Sequence, residues 1–163
     1  MSPADPVNDP VIDPVIDPVA GTWVLISWTQ EYRDGRVLEP MGPAPTGVIT
    51  YAEGRMQCLI TRRLRTPFGE GGQWDAPLAD RARAYDECLA YAGRYEWGTR
   101  PEGLWVRHHV DVSLYPGWIG GVQERAAVLD GEELRLLAHL EVGTAEERTA
   151  ALAWRRLEAG AAL

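Results

Sequence analysis

From Gly21 onward the sequence is built of short stretches in which apolar and polar residues alternate, cut at close intervals by glycine, proline and Asp-Gly signals. A period of two belongs to strands with one buried face, and strands this closely spaced leave room only for hairpin turns. Gly21–Trp28 reads as the first strand and ends before the Asp34-Gly35 turn. A Pro/Gly loop from Pro40 to Pro45 follows, then a hairpin of 46–52 and 55–63 about Glu53-Gly54. Further strands are expected over 91–97, 104–114, 121–129, 133–142 and 148–157, with Asp130-Gly131 as one of the turns. Between 64 and 90 the pattern changes. Asp75 is placed to cap a helix over 77–90, and Leu78, Ala82, Tyr85 and Leu89 form a stripe at spacings of four, three and four.

Consecutive strands joined by short turns pair antiparallel, and closing the sheet removes its two edges. The expected fold is therefore all-β: an eight-stranded antiparallel up-and-down barrel with one helix, a β-sandwich being the alternative packing. An eight-stranded barrel is either filled by its own side chains or wide enough for one small ligand. At 163 residues with 45% hydrophobic content, one core is enough. The domain reading is a tail over 1–20, a barrel over 21–158 and a flexible end over 159–163.

The tail is a repeat. Asp-Pro-Val recurs at Asp5, Asp9, Asp13 and Asp17, and its prolines deny helix and sheet their N–H donors. It is expected to be extended or flexible, with a flap over a pocket mouth as the sharper reading.

Composition excludes several functions. The net charge of −8 speaks against a nucleic-acid partner. All 16 basic residues are arginine, so no lysine is present for Schiff-base or phosphate-loop chemistry. No apolar run is long enough to cross a bilayer and no secretory leader pattern is visible, which points to a cytoplasmic protein and no membrane partner. Cys58 and Cys88 read as reduced thiols without a chemical role. Neither a nucleotide loop nor a nucleophile elbow nor a metal-ligand spacing occurs, so no cofactor and no metal are expected.

The candidate site centres on 104–125. Strand alternation puts Val106, His108, Val110, Val112 and Leu114 on one face, and Trp105, Arg107, His109, Asp111 and Ser113 on the other. The adjacent histidines thus face opposite ways. His108, alone on an apolar face, is expected to be desolvated and neutral, serving either as a satisfied core residue or as an acid/base group. Gln123 and Arg125 share a face with Ala127 and Leu129. An inward Arg125 would need a carbonyl, enolate or carboxylate partner from a ligand, whereas an outward one would pair with a surface glutamate. His108 and Tyr95 are the candidate catalytic contacts, and Trp23, Tyr51, Met56, Trp97, Trp118, Gln123 and Arg125 the candidate ligand contacts.

Gly21-Thr22-Trp23, the segment 47–51, Gly54-Arg55-Met56, the segment 91–95, His108-His109-Val110, the segment 116–120, Gln123-Glu124-Arg125 and the closing segment 152–156 resemble, in order and spacing, the bacterial lipocalin-like domain family. The resemblance covers nearly everything after residue 20. It implies a calycin-type barrel around a cavity for a small hydrophobic or polyketide-like molecule. It further implies either a cofactor-free cyclase or isomerase in bacterial secondary metabolism, or a carrier without turnover. The proline-rich tail and the doubled glycine Gly120-Gly121 depart from the pattern. The sequence leaves the oligomeric state open, a homodimer included.

Overall fold

A computed structural model describes residues 16–163. The chain forms strands β1 (Gly21–Tyr32), β2 (Val37–Leu38), β3 (Thr46–Ala52) and β4 (Arg55–Thr61), helix α1 (Leu78–Asp86), then β5 (Cys88–Arg100), β6 (Gly103–Ser113), β7 (Val122–Asp130), β8 (Glu133–Leu140) and β9 (Arg148–Arg156). Every pairing is antiparallel, β1 and then β3 to β9 follow one another in the sheet in sequence order, and β1 pairs with β9 to close it. The result is the expected eight-stranded up-and-down barrel, with the two-residue β2 added as a small hairpin on the end of β1. Among the described residues, no helix is long and apolar enough to cross a membrane.

Two bulges decide which side chains face inward. In β1 the register shifts between Leu25 and Ser27, so Trp23 and Leu25 point into the core, Ile26 turns out, and the inward set continues on even numbers with Trp28 and Gln30. In β6, Val110 and Val112 oppose Gly93 and Ala92, leaving Asp111 unpaired. This extra residue reverses the alternation. Val106, His108 and Val110 are buried as the period-two pattern requires, but Val112 and Leu114, expected inside, are 60% and 38% exposed. Asp111 itself is held outside by Arg55 at 3.1 Å. Gly93 sits opposite the bulge, and a methyl group there would run into the carbonyl oxygen of His109.

The helix is shorter than its sequence pattern. α1 ends at Asp86, and Leu89 belongs to β5. Its cap is Pro77 with no side-chain bond, while Asp75 instead accepts the Gly72 backbone N–H at 2.6 Å. Leu78 and Tyr85 stay exposed, so the helix has no buried face. It lies against the start of β5 as a loosely attached brace.

The first three Asp-Pro-Val copies lie outside the described residues. The fourth is docked. Asp17 Oδ1 accepts the backbone N–H groups of Val19 and Ala20, its Oδ2 accepts the Tyr95 hydroxyl at 2.5 Å, and Val19 is fully buried with its carbonyl accepting the Trp23 indole N–H at 2.9 Å. This unit stoppers the barrel end formed by the start of β1, the end of β3 and the start of β4. Trp23, Tyr51, Met56, Val106 and Leu134 fill the interior behind it.

Because the bulge in β6 is made room for by Gly93, replacing that glycine is expected to be severe. Gly93→Ala should cost about 3 kcal/mol or more in urea unfolding, through forced displacement of the β5–β6 ladder. An unchanged midpoint would contradict the register.

Candidate functional site

The opposite half of the barrel is not filled. A cavity of about 510 Å³ lies between the second half of β1, the ends of β4 and β8, the starts of β5 and β9, and the Pro116–Trp118 turn. Its walls are mainly apolar, with Ile49, Ile60, Leu89, Leu136 and Leu152 contributing aliphatic surface. Trp28, Trp118 and Trp154 add indole rings, and the indole N–H groups of Trp28 and Trp154 are buried with no acceptor among the described residues. Leu38 of β2 and Pro40 just after it complete the rim. A volume of this size, mostly apolar with a few polar groups, suits one small organic molecule.

The polar groups in the walls are Gln30, Tyr91, Gln123, Arg125, Glu141 and Arg148. Arg125 donates to the Glu124 carbonyl at 2.9 Å and to Gln123 Oε1 at 3.1 Å. Arg148 donates to Gln30 Oε1 at 2.9 Å and to the Glu146 carbonyl at 3.0 Å, and lies over the Tyr32 ring. All four acceptors are neutral. Of the nearby carboxylates, Glu124 is engaged by Arg100 and Arg107, Glu146 by Arg36 and Glu147 by Arg33, while Glu141 in the wall forms no ion pair with either cavity arginine. The glutamate that an outward Arg125 would have met is thus held by two other arginines on the barrel exterior, and Arg125 turns inward.

Beneath the cavity, His108 bridges two tyrosines. Its Nε2 lies 2.8 Å from the Tyr51 hydroxyl and its Nδ1 2.8 Å from that of Tyr91, with the imidazole fully buried. Burial first, and then the charge of Arg125 and the proximity of His109, push its pKa down to about 3, so the ring is neutral at physiological pH. A neutral imidazole has one donor and one acceptor. Tyr51 has no other hydrogen-bond partner among the described residues, so its hydroxyl is satisfied as a donor to Nε2. The ring proton then sits on Nδ1 and is donated to the Tyr91 oxygen. This leaves the Tyr91 O–H free to point toward Cys58 and the cavity, both of which it adjoins. Burial raises the pKa of Tyr91 and of Tyr51, and pushes the Cys58 thiol up to about 12.

Of the residues singled out from sequence, Trp118, Gln123 and Arg125 line the cavity. His108 and Tyr51 form the layer below it, shielded by Tyr91. Tyr95, Trp23 and Met56 belong to the filled half, Tyr95 being tied to Asp17. Trp97 packs against the core, partly buried. Trp28, Tyr91, Arg148 and Trp154 are wall residues that sequence reasoning did not single out. Arg148 and Trp154 share an inward face with Ala150 and Leu152, a signal that alternation along β9 carried. Among the described residues, no cluster of metal-ligating side chains occurs.

The buried histidine makes stability depend on pH. Unfolded, His108 takes up a proton near its ordinary pKa of about 6.5, whereas folded it resists until about 3, so acidification favours the unfolded chain. His108 should therefore contribute a loss of about 2 kcal/mol between pH 7 and pH 5. Comparing urea midpoints of the wild type and His108→Gln at the two pH values isolates this part, and an identical pH response in both would refute it.

A curated protein of Aspergillus oryzae, named a 4'-hydroxy-3'-methoxypropiophenone carrier protein, is 37% identical over 101 residues, covering 56% of this chain and 88% of the relative. No solved structure matches the chain. The profile of the lipocalin-like domain matches residues 20–157. This protein belongs to the lipocalin-like domain family.

Proposed function

We propose that this protein binds one small, largely apolar molecule in the open half of its barrel and carries it without chemical change. The observation that bears most weight is the division of the interior: one half closed by Trp23, Tyr51 and the docked Asp17-Pro18-Val19 unit, the other holding a cavity of about 510 Å³. The 37% identity to a protein named as the carrier of an aryl ketone supports the same reading.

A cyclase or isomerase needs a group that takes up or delivers a proton at the ligand. His108 has both ring nitrogens engaged and lies behind Tyr91, while Tyr95 is at the stoppered end. In the walls, Tyr91 and Cys58 are held in their protonated forms by burial. These positions favour carriage over turnover.

The test uses 4'-hydroxy-3'-methoxypropiophenone as probe, followed by quenching of tryptophan fluorescence. One-to-one binding is expected, with the compound recovered unchanged by chromatography and mass spectrometry. Leu136→Trp, which fills the cavity, should weaken binding about 10-fold or more. Formation of a new product would replace carriage with catalysis. Absence of binding would remove the proposal.

A further inference from the structure

The chain carries a net charge of −8, yet the walls of its cavity hold two arginines and one carboxylate. Neither guanidinium has an ion-pair partner among the described residues: Glu124, Glu146 and Glu147 are bound to other arginines, and Glu141, the one carboxylate in the walls, lies within ion-pair distance of neither. A half-buried cation paired only with neutral oxygens retains a strong demand for an anionic acceptor. Arg125 is close enough to act electrostatically on Tyr91, Cys58, Tyr51 and His108, so its charge is felt throughout the cavity floor. The proton order derived for the Tyr51–His108–Tyr91 bridge places a second donor, the Tyr91 O–H, at that floor.

Resting on the carrier reading, we infer that the cavity takes its ligand as an oxyanion, an ionised phenol or enol whose oxygen sits against Arg125 with the Tyr91 hydroxyl as second donor. The proton lost by the ligand goes to solvent, and no bond other than that O–H is broken. The surrounding aliphatic and indole surface accepts the rest of an aromatic or conjugated molecule. A ligand of this class delocalises its negative charge into a flat apolar frame, which matches the Arg125 cation at the floor beneath walls that are mainly apolar. The charged and titratable groups facing the oxygen are Arg125 on β7, Tyr91 on β5, Cys58 on β4, Arg148 on β9 and Glu141 after β8, with His108 of β6 behind Tyr91.

The experiment compares para-hydroxyacetophenone with its methyl ether, which has nearly the same shape and cannot ionise. Binding of each to the full chain is measured by fluorescence between about pH 6 and pH 9, a range that brackets ionisation of the activated phenol. The ether reads any titration of the cavity walls, and the phenol's excess over it reads the ligand's own. Above its ionisation the phenol should bind about 10-fold tighter than the ether. Bound phenol should also show the long-wavelength absorption of the phenolate at a pH where the free compound is still neutral. In Arg125→Gln the ratio of phenol to ether affinity should fall to about one. Equal binding of both compounds at every pH, with a neutral-phenol spectrum, would overturn the oxyanion inference and leave carriage of neutral molecules standing. Failure of both to bind would bring down the inference together with the carrier reading. The wild-type comparison decides the matter even where the variant does not fold.

Discussion

The hydrogen bonds from His108 to Tyr51 and Tyr91 join three strands across the inside of the barrel and separate its filled half from its empty one. They also form the middle of a column. Trp118 meets Tyr91 edge-on at 5.6 Å, Tyr51 meets Tyr95 at 4.8 Å, and Tyr95 ends on Asp17. A buried imidazole with an unmet nitrogen would be costly, but here both nitrogens are matched by hydroxyls, so burial fixes the ring as neutral and rigid. The bridge resists collapse of the cavity floor and ties the mouth of the barrel to its stopper.

That arrangement bears on function by assigning different chemistry to each half. The closed half is conventional core, with large side chains and a docked N-terminal unit. In the open half, charge that the exterior neutralises through Glu124 and its arginines is left uncompensated at Arg125 and Arg148. Uncompensated cations and two unpaired indole donors make the cavity a poor home for a saturated hydrocarbon and a better one for an oxygen-bearing aromatic molecule. The same bridge that builds the floor removes the histidine from reach as an acid or base, which aligns the architecture with holding rather than transforming.

The barrel was legible because alternation and turn residues are local signals, and the strand ladder follows them closely: 46–52 is found with the limits read from sequence. The inward set of β6 was legible from Val106 to Val110 and then failed, since a bulge at Asp111 is a one-residue event that alternation cannot announce. The bulge in β1 concealed Trp28 in the same way. Arg125 was open in sequence because each face of β7 mixes apolar with polar or charged residues, so period two alone does not say which face is inward; the pairing with β6 and β8 decides it. Tyr95, Trp23 and Met56 do face inward, but period two says nothing about which end of the barrel is filled. The role of Asp17 was hidden inside a repeat whose composition speaks only of extended chain, because its partner, Tyr95, is far away in sequence.

The most direct test of a ligand seated in the open half is the nitrogen-15 spectrum of the tryptophan side chains, titrated with para-hydroxyacetophenone. The indole resonances of Trp28, Trp118 and Trp154, which line the cavity, should shift together and saturate at one equivalent. Those of Trp105, outside between Arg100 and Arg107, and of exposed Trp74 should stay in place. Movement of Trp74 or Trp105 with Trp28 and Trp154 unchanged would contradict the account, because it would put the ligand on the outside of the barrel.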